Sequence, residues 1–382
     1  MLDVLLTGSL SFLITFLAIP AIIKIAQEKK LYDVPDERKL HKKPISSLGG
    51  VGIFGGFFLA SLLSINNTIN PEFQYFYAAA VVIFFLGVKD DILILTATKK
   101  FIGQVTAAAI LIHLGGLRIG SMHGLFGINE LPEIFSIALT YITIILIINA
   151  FNLIDGVDGL AGTLGLLTMA VFGSYFYMVD MTAYSMLAFA MAGSLMAFLI
   201  FNYNPAKIFM GDSGSLMLGM INSIMAIKFI SVADSTLVSF RIQSAVAIGI
   251  AVLMIPLLDT LRVFSIRILK GRSPFSPDRN HIHHLLLDRG LNHKKVTFSC
   301  LLLNVAFIVL AFIGRDLGPT YLLGSIVLVA LAFLGILVYY KKEARVVRAE
   351  KPASISPQSI KTIIPTTKVM TLNAEVPVAV KD

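Results

Sequence analysis

The chain has 382 residues, of which 56% are hydrophobic and only 14% are charged, and its formal net charge is +8. A soluble domain carries about 25% charged residues, so this composition excludes a soluble globular protein. The single cysteine, Cys300, lies within an apolar segment, which excludes a disulfide framework and a cysteine-rich metal site. The mean hydropathy of +0.83 indicates an integral membrane protein.

Apolar segments long enough to cross a bilayer recur along the chain. A transmembrane helix needs roughly 17–25 mainly apolar residues. The first segment lacks the basic start and the cleavage site of a signal peptide, so we expect it to be retained. The sequence predicts an all-α polytopic membrane protein with about eleven transmembrane helices, near residues 2–23, 48–66, 73–88, 100–116, 134–153, 163–179, 182–202, 214–232, 241–264, 296–313 and 320–340.

Two segments outside these helices have a different composition. The glycine-rich loop at 117–133 favours a small hairpin. Beyond residue 340 the chain is polar and rich in Lys, Ser, Thr and Pro, a composition typical of disorder. We therefore predict an integral membrane domain at 1–340 and a disordered cytoplasmic tail at 341–382.

Basic residues are distributed unevenly among the predicted loops. If the N-terminus lies outside, 27 of the 31 lysines and arginines fall on the cytoplasmic side. Cytoplasmic loops carry an excess of Lys and Arg, so we predict the N-terminus outside and the C-terminus in the cytoplasm. The positive face would meet anionic lipid or an anionic substrate, and we expect no nucleic-acid partner.

Five polar clusters lie in loops that this topology places in the cytoplasm. The first offers cations suited to phosphate groups, although any positive-inside loop has this composition: Arg38, Lys39 and His41. The second is the pair Asp90-Asp91, followed by Lys99. Adjacent carboxylates at a membrane boundary are costly to desolvate unless they are paired or bind a metal. Oxygen ligands suit Mg²⁺, and solvated charges at a helix end are the alternative.

The third and fourth clusters follow and precede apolar helices. Asn152, Asp155 and Asp158 recur every three residues among glycines, which allow the backbone to approach a ligand closely. Phe209 and Asp212 stand at the start of a helix, where free N–H groups can bind a phosphate. Asp212 could instead cap that helix.

The fifth cluster contains His281, His283 and His284, preceded by Arg279. Clustered histidines can bind zinc, but the carboxylates of the other clusters favour a hard cation. Protonated imidazoles beside an arginine also suit a diphosphate. Asp259 is a secondary candidate that could pair with an arginine of its own helix.

Together the clusters resemble the polyprenyl-phosphate N-acetylhexosamine-1-phosphate transferases of the WecA/TagO type. The resemblance rests on the Asp90-Asp91 pair, on NxxNxxDGxDGLA at 149–161, on FMGDSGS at 209–215 and on SPFSPDRNHIHH at 273–284. It implies a multi-pass protein of the bacterial inner membrane with a cytoplasmic active site, Mg²⁺ or Mn²⁺ as cofactor, and release of UMP. The related phospho-MurNAc-pentapeptide translocases have three consecutive histidines, whereas this chain has His-Ile-His-His.

The resemblance also implies roles for individual residues. Asp212 corresponds to the metal ligand, and Phe209 to an aromatic ring stacked on uracil. The remaining catalytic candidates are Asp90, Asp91, His281, His283 and His284. The remaining substrate-binding candidates are Asn152, Asp155, Asp158, Lys99, Arg38, Lys39, His41 and Arg279.

The implied reaction transfers N-acetylhexosamine-1-phosphate, with GlcNAc the expected sugar, from the UDP-sugar to undecaprenyl phosphate. Its partners would be these two substrates and membrane lipid, with a homodimer left open. Transfer exchanges one diphosphate linkage for another, so it needs no ATP. Direct attack on the β-phosphorus is favoured, and a covalent aspartyl-phosphate is the alternative. A secondary transporter would carry its charges near the bilayer midplane, whereas here they lie at one boundary.

Overall fold

The computed structural model describes residues 1–31, 45–93, 95–271 and 281–339. These residues belong to one compact unit that extends from Met1 to Lys342. The predicted site residues Arg38, Lys39, His41 and Arg279 and the predicted tail at 341–382 lie outside the described residues. The domain boundary at residue 340 therefore stays a prediction.

Helices dominate the described part of the chain, as the composition predicts. The α-helices found there are α1 (Leu2–Glu28), α2 (Gly49–Ser64), α3 (Glu72–Leu93), α4 (Ala97–Ala109), α5 (Glu133–Ile154), α6 (Leu160–Met178), α7 (Thr182–Asn202), α8 (Gly211–Ala233), α9 (Ala245–Val252), α10 (Met254–Leu269), α11 (Ile282–Asp288), α12 (His293–Ile313) and α13 (Pro319–Tyr339). A π-helical segment, Ile110–Leu114, extends α4, and a 3₁₀ turn, Arg315–Leu317, precedes α13.

Each of the eleven predicted spans overlaps helix, but fewer helices meet the requirements for crossing a membrane. Among the described residues seven helices are long and apolar enough, and an eighth span results if α9 and α10 count as one. Helix α2 has 16 residues, so at about 1.5 Å per residue it does not cover roughly 30 Å of hydrocarbon. The protein is polytopic, and the count of eleven is not confirmed.

The predicted span at 241–264 is broken between α9 and α10, whose axes differ by 81°. Pro256 in the first turn of α10 lacks the N–H that a continuous helix would need. Asn304 of α12 bonds to the backbone groups that the break leaves without helical partners, because its side chain accepts from Ile255 N at 3.0 Å and donates to Val252 O at 2.9 Å. After the break, α10 runs in a new direction, in which its Asp259 contacts His281.

Helix α8 forms the centre of the bundle. In its most apolar 18-residue stretch 83% of the residues are buried, compared with 22% in α1 and in α13. Helices α2, α3, α5, α6 and α9 pack around it. Small residues permit this packing, since a Cβ atom on Gly87 of α3 would lie 2.5 Å from the backbone nitrogen of Ser213. The N-terminus of α8 is thus enclosed by neighbouring helices.

The glycine-rich loop forms the predicted hairpin. Strands β1 (Ser121–Leu125) and β2 (Ile128–Glu130) pair antiparallel, with Ser121 opposite Glu130. Gly127 in the turn has a φ of +77°, a conformation that glycine adopts without steric cost.

Candidate active site

The N-terminus of α8 is capped by a side chain from another helix. Asp91 accepts hydrogen bonds from the backbone nitrogen of Asp212 at 2.7 Å and from that of Ser213 at 3.0 Å. Gly211 has a φ of +70°, and a Cβ atom there would lie 2.7 and 2.8 Å from the Asp91 carboxylate oxygens. Asp91 therefore satisfies two of the free N–H groups at the start of the helix. Asp212 is not needed as the cap, which leaves its carboxylate for the site.

Lys100 of α4 joins two of the predicted acidic residues. Its ammonium lies 2.6 Å from Oδ2 of Asp212 and also forms an ion pair with Asp90. On the other side of Asp212, Asn152 donates to Oδ1 at 2.9 Å. Four helices, α3, α4, α5 and α8, thus converge on the Asp212 carboxylate. Lys99, the lysine that the sequence favoured, is exposed.

Asp155 is a further carboxylate in the same region. The surrounding protein desolvates its carboxylate, and the negative charges of Asp212, Asp91 and Asp158 add repulsion, so the pKa of Asp155 is raised well above its usual range. A proton or a cation is needed to relieve this excess of negative charge. Carboxylate oxygens together with an amide oxygen are hard donors, and this donor set fits Mg²⁺ or Mn²⁺.

His283, in the first turn of α11, lies next to the DGxDG segment that carries Asp155. A Cβ atom on Gly156 would lie 2.5 Å from Nε2 of His283, so the DGxDG segment needs glycine there to admit the ring. Burial lowers the pKa of His283 to about 3, which keeps this ring neutral. The rings of His283 and His284 are 4.4 Å apart at their centroids. The third and fifth clusters therefore meet.

A polar cavity of about 510 Å³ lies where these groups meet. Its lining residues come from helices α4, α5, α10 and α11 and from the residues just before or after them: Leu95, Ala97, Lys100, Phe101, Gln104, Asn149, Asn152, Leu153, Asp155, Gly156, Phe264, Arg267, His281, His283 and His284. Five of the predicted site residues are in this set. Through Lys100 the cavity also reaches Asp90 and Asp212.

Two other predicted residues, Asp158 and Phe209, are not among the residues that line this cavity. Asp158 accepts from the side chain of Asn204 at 2.7 Å and lies 3.3 Å from Nδ1 of His293. Burial opposes its ionisation, but these bonds outweigh burial and hold the pKa of Asp158 below its usual range. Phe209 is joined through its backbone nitrogen to Ser46 O at 2.8 Å, which seats the segment before α2 against the FMGD motif.

Several of the lining residues were not among the predicted site residues. Gln104 lies one helical turn after Lys100, and its side-chain oxygen accepts from Asn149 at 2.8 Å. Arg267 is 3% exposed, and its guanidinium lies 6.0 Å from the ring centre of Phe264. A polar side chain within an apolar helix marks a candidate site residue, and this signal was available in the sequence for Gln104 and Arg267.

A second cavity, of about 570 Å³, is almost entirely apolar. It lies between α5, α8, α9, α10 and α13, and its lining includes Leu257, Leu261 and Arg262 of α10. The same helix supplies Phe264 and Arg267 to the polar cavity. Helix α10 therefore separates an apolar space from a charged one.

The sequence was compared with known proteins. The model of glycosyl transferase family 4 covers residues 73–230. Decaprenyl-phosphate N-acetylglucosaminephosphotransferase of Mycobacterium leprae is 33% identical over 359 residues, which span 86% of this chain and 89% of that protein. The chain belongs to glycosyl transferase family 4. The undecaprenyl-phosphate α-N-acetylglucosaminyl 1-phosphate transferases of Yersinia pestis and Salmonella typhi are 31% and 29% identical, over 88% and 86% of this chain and 91% and 88% of theirs.

The family assignment confirms that this multi-pass membrane protein is an enzyme, as the motifs predicted. The family 4 model contains the acidic pair, the DGxDG segment and the start of α8. The three histidines at 281, 283 and 284 lie beyond the region that the family model matches, and the fold of this family 4 enzyme brings them to the same cavity.

Proposed function

We propose that this enzyme transfers GlcNAc-1-phosphate from UDP-GlcNAc to undecaprenyl phosphate. The transfer would release UMP and form the lipid-linked diphosphate sugar that begins synthesis of a cell-envelope polysaccharide. The observation that carries the proposal is the polar cavity of about 510 Å³, which is lined by Asp155, Lys100 and three histidines and whose Lys100 pairs with Asp90 and Asp212. The names of the relatives, which specify polyprenyl phosphates and N-acetylglucosamine, support it.

The apolar cavity supports a lipid acceptor. An isoprenoid chain gains stability from apolar surface, whereas its phosphate requires cations. Arg262 borders the apolar cavity and Arg267 borders the polar one, on a single helix. A polyprenyl phosphate with its chain against Leu257 and Leu261 would place its head group near the carboxylates.

The proposed location is the cytoplasmic face of the bacterial inner membrane. The excess of basic residues in alternate loops supports this orientation, with the N-terminus outside and the C-terminus inside. UDP-sugars are made in the cytoplasm, so a donor site on this face needs no transport step.

In the proposed mechanism the main role of the acidic residues is to hold cations and to orient their neighbours, and proton transfer is secondary. Asp212, with Asp155 and the amide oxygen of Asn152, would hold Mg²⁺, which when bound neutralises charge on the diphosphate. Lys100 keeps Asp90 and Asp212 together. Asp91, whose two oxygens accept backbone N–H groups, orients the start of α8. This use of both oxygens favours a positioning role for Asp91 over a nucleophilic one.

The acceptor needs little activation, because the second pKa of a phosphate monoester is about 6 and the lipid phosphate is largely dianionic at neutral pH. Its oxygen forms a bond to the β-phosphorus of the donor while the bond from that phosphorus to the bridging oxygen breaks. UMP leaves with the bridging oxygen. Asp90 would position the acceptor or take its residual proton, and the histidines would donate to the diphosphate.

The test is UMP release by purified protein with undecaprenyl phosphate and Mg²⁺. The donors are UDP-GlcNAc, UDP-GalNAc and UDP-MurNAc-pentapeptide, and omission of the lipid is the control. We expect acceptor-dependent release with UDP-GlcNAc. Release with UDP-MurNAc-pentapeptide alone would assign the enzyme to the translocase reaction, and no release with any donor would contradict the proposal.

A further inference from the structure

Asp259 is a buried carboxylate outside the four motifs. It lies on α10 and has no exposed surface. Its Oδ2 is 2.7 Å from Nδ1 of His281, and its Oδ1 accepts the backbone N–H of Ile282 at 2.5 Å. Both oxygens therefore hold the start of α11 from a different helix.

We propose that Asp259 is a positioning residue that fixes the ring of His281 with its Nε2 atom directed to the polar cavity. A carboxylate accepts hydrogen bonds and does not donate them, so Nδ1 of His281 carries a proton. Nε2 is the nitrogen that remains for the cavity, whose wall includes His281. The inference rests on the proposed function and deepens it, because Nε2 is then the one ring nitrogen of His281 that can contact the diphosphate of the sugar nucleotide.

The local structure explains why this role needs a residue from α10. His281 is the N-cap residue of α11, and its side chain makes no bond to the helix it precedes. The first N–H groups of a helix lack partners within it, and Asp259 supplies one to Ile282. The ring of His281 also stacks on His283, with centroids 5.3 Å apart and planes 13° apart. One hydrogen bond and one ring contact thus hold the His281 ring, and the second hydrogen bond fixes the backbone of the next residue.

Asp259, His281 and His283 also have the donor types of a zinc site, since one atom from each lies within 4.8 Å of the others. Zinc bonds of about 2.0–2.1 Å in tetrahedral geometry separate neighbouring ligand atoms by about 3.3 Å. Nδ1 of His281 and Oδ2 of Asp259 are closer, at hydrogen-bond distance, and the second carboxylate oxygen accepts a backbone N–H. The geometry favours a carboxylate–imidazole pair.

The test is a double-mutant cycle with Asp259→Asn, His281→Asn and the double variant. Asp259→Asn keeps the shape and an acceptor for Ile282 but removes the charge. His281→Asn keeps a donor near Nδ1 and removes Nε2. Thr260→Val is the matched control, because Thr260 is the next buried polar residue on α10 and its hydroxyl lacks a partner among the described residues. Affinity for UDP-GlcNAc with Mg²⁺, UMP release and thermal stability are measured for each variant.

Each single variant is expected to lose about ten- to a hundredfold in affinity, the range for a hydrogen bond to a charged group, and to lose turnover with it. The double variant should lose no more affinity than the single variant that binds UDP-GlcNAc more weakly. Thr260→Val should bind UDP-GlcNAc as the wild type does. Losses that multiply in the double variant would overturn the inference, because Asp259 would then act independently of His281. Wild-type affinity in either single variant would also overturn it.

Two further arms keep the test decisive. If Asp259→Asn does not fold, Asp259→Glu takes its place in the same cycle with the same criteria. The second arm adds a transition-metal chelator in excess Mg²⁺. If the chelator abolishes activity and Zn²⁺ restores it, these residues form a zinc site and the inference of a carboxylate–imidazole pair is wrong. Failure of the proposed function is recognised separately, since the wild type would then neither bind UDP-GlcNAc nor release UMP.

Discussion

Replacing Lys100 by methionine would remove the ammonium between Asp90 and Asp212 while keeping the length of the side chain. Lys100 forms an ion pair with each carboxylate. With the ammonium removed, Asp90, Asp91, Asp155 and Asp212 would share one site without a fixed cation. We expect the carboxylates to move apart or to take up protons, and in either case the geometry of the cavity would be lost.

The size of the effect follows from the two ion pairs. A hydrogen bond to a charged group contributes about 1.5–3 kcal/mol. The side chains of Lys100 and Asp212 are 27% and 25% exposed, so solvent screens the pairs and the lower value applies. Two bonds then contribute about 3 kcal/mol to holding the carboxylates in place. A variant that has to restore this arrangement before it can react should lose about a hundredfold in kcat/KM, since about 1.4 kcal/mol corresponds to a factor of ten.

The assay is UMP release by Lys100→Met, with Lys99→Met as the matched comparison. Lys99 is adjacent and exposed, and substitution of an exposed residue usually changes free energies by less than about 0.5 kcal/mol, or about twofold. A Mg²⁺ titration of the melting temperature should also show a larger stabilisation of Lys100→Met, because its carboxylates lack their fixed cation. Equal activity of the two variants would refute the reasoning, and a loss confined to Lys99→Met would restore the assignment made from sequence.

Three other predictions follow from the proposed site. Asp212→Asn should lower turnover by more than about a hundredfold, as expected for a main electrostatic element, and should weaken Mg²⁺-dependent donor binding, whereas near-normal activity of a folded variant would contradict the metal assignment. Phe209→Ala should lose about 1–3 kcal/mol of stacking on uracil, and Asp90→Asn should keep donor affinity and lose turnover; calorimetry that found the reverse pattern would exchange their roles. Reporter fusions should place His283 in the cytoplasm and Gly124 outside, and finding both on one side would exclude the proposed topology.

The acidic pair shows how far motif reasoning reached. Asp90 and Asp91 were predicted as equivalent members of one site, and both lie in it. Their contacts differ, because Asp90 pairs with Lys100 and Asp91 caps α8. Successive residues on a helix point about 100° apart, so neighbouring side chains meet different partners. Which partner each one meets depends on how α3 is rotated against α8, and a single sequence does not contain that rotation.

The sequence by itself determined that the protein lies in a membrane, where nearly every helix and the hairpin are, and which motifs identify the family. These properties follow from composition and from residues close together in the chain, which a single sequence displays. Only the tertiary structure decided that Lys100 and not Lys99 enters the cavity, that the span at 241–264 breaks where Asn304 supports it, and that Asp259 holds His281. Each of these contacts joins residues at least 22 positions apart, and such contacts form only when packing fixes the rotation and the ends of the helices.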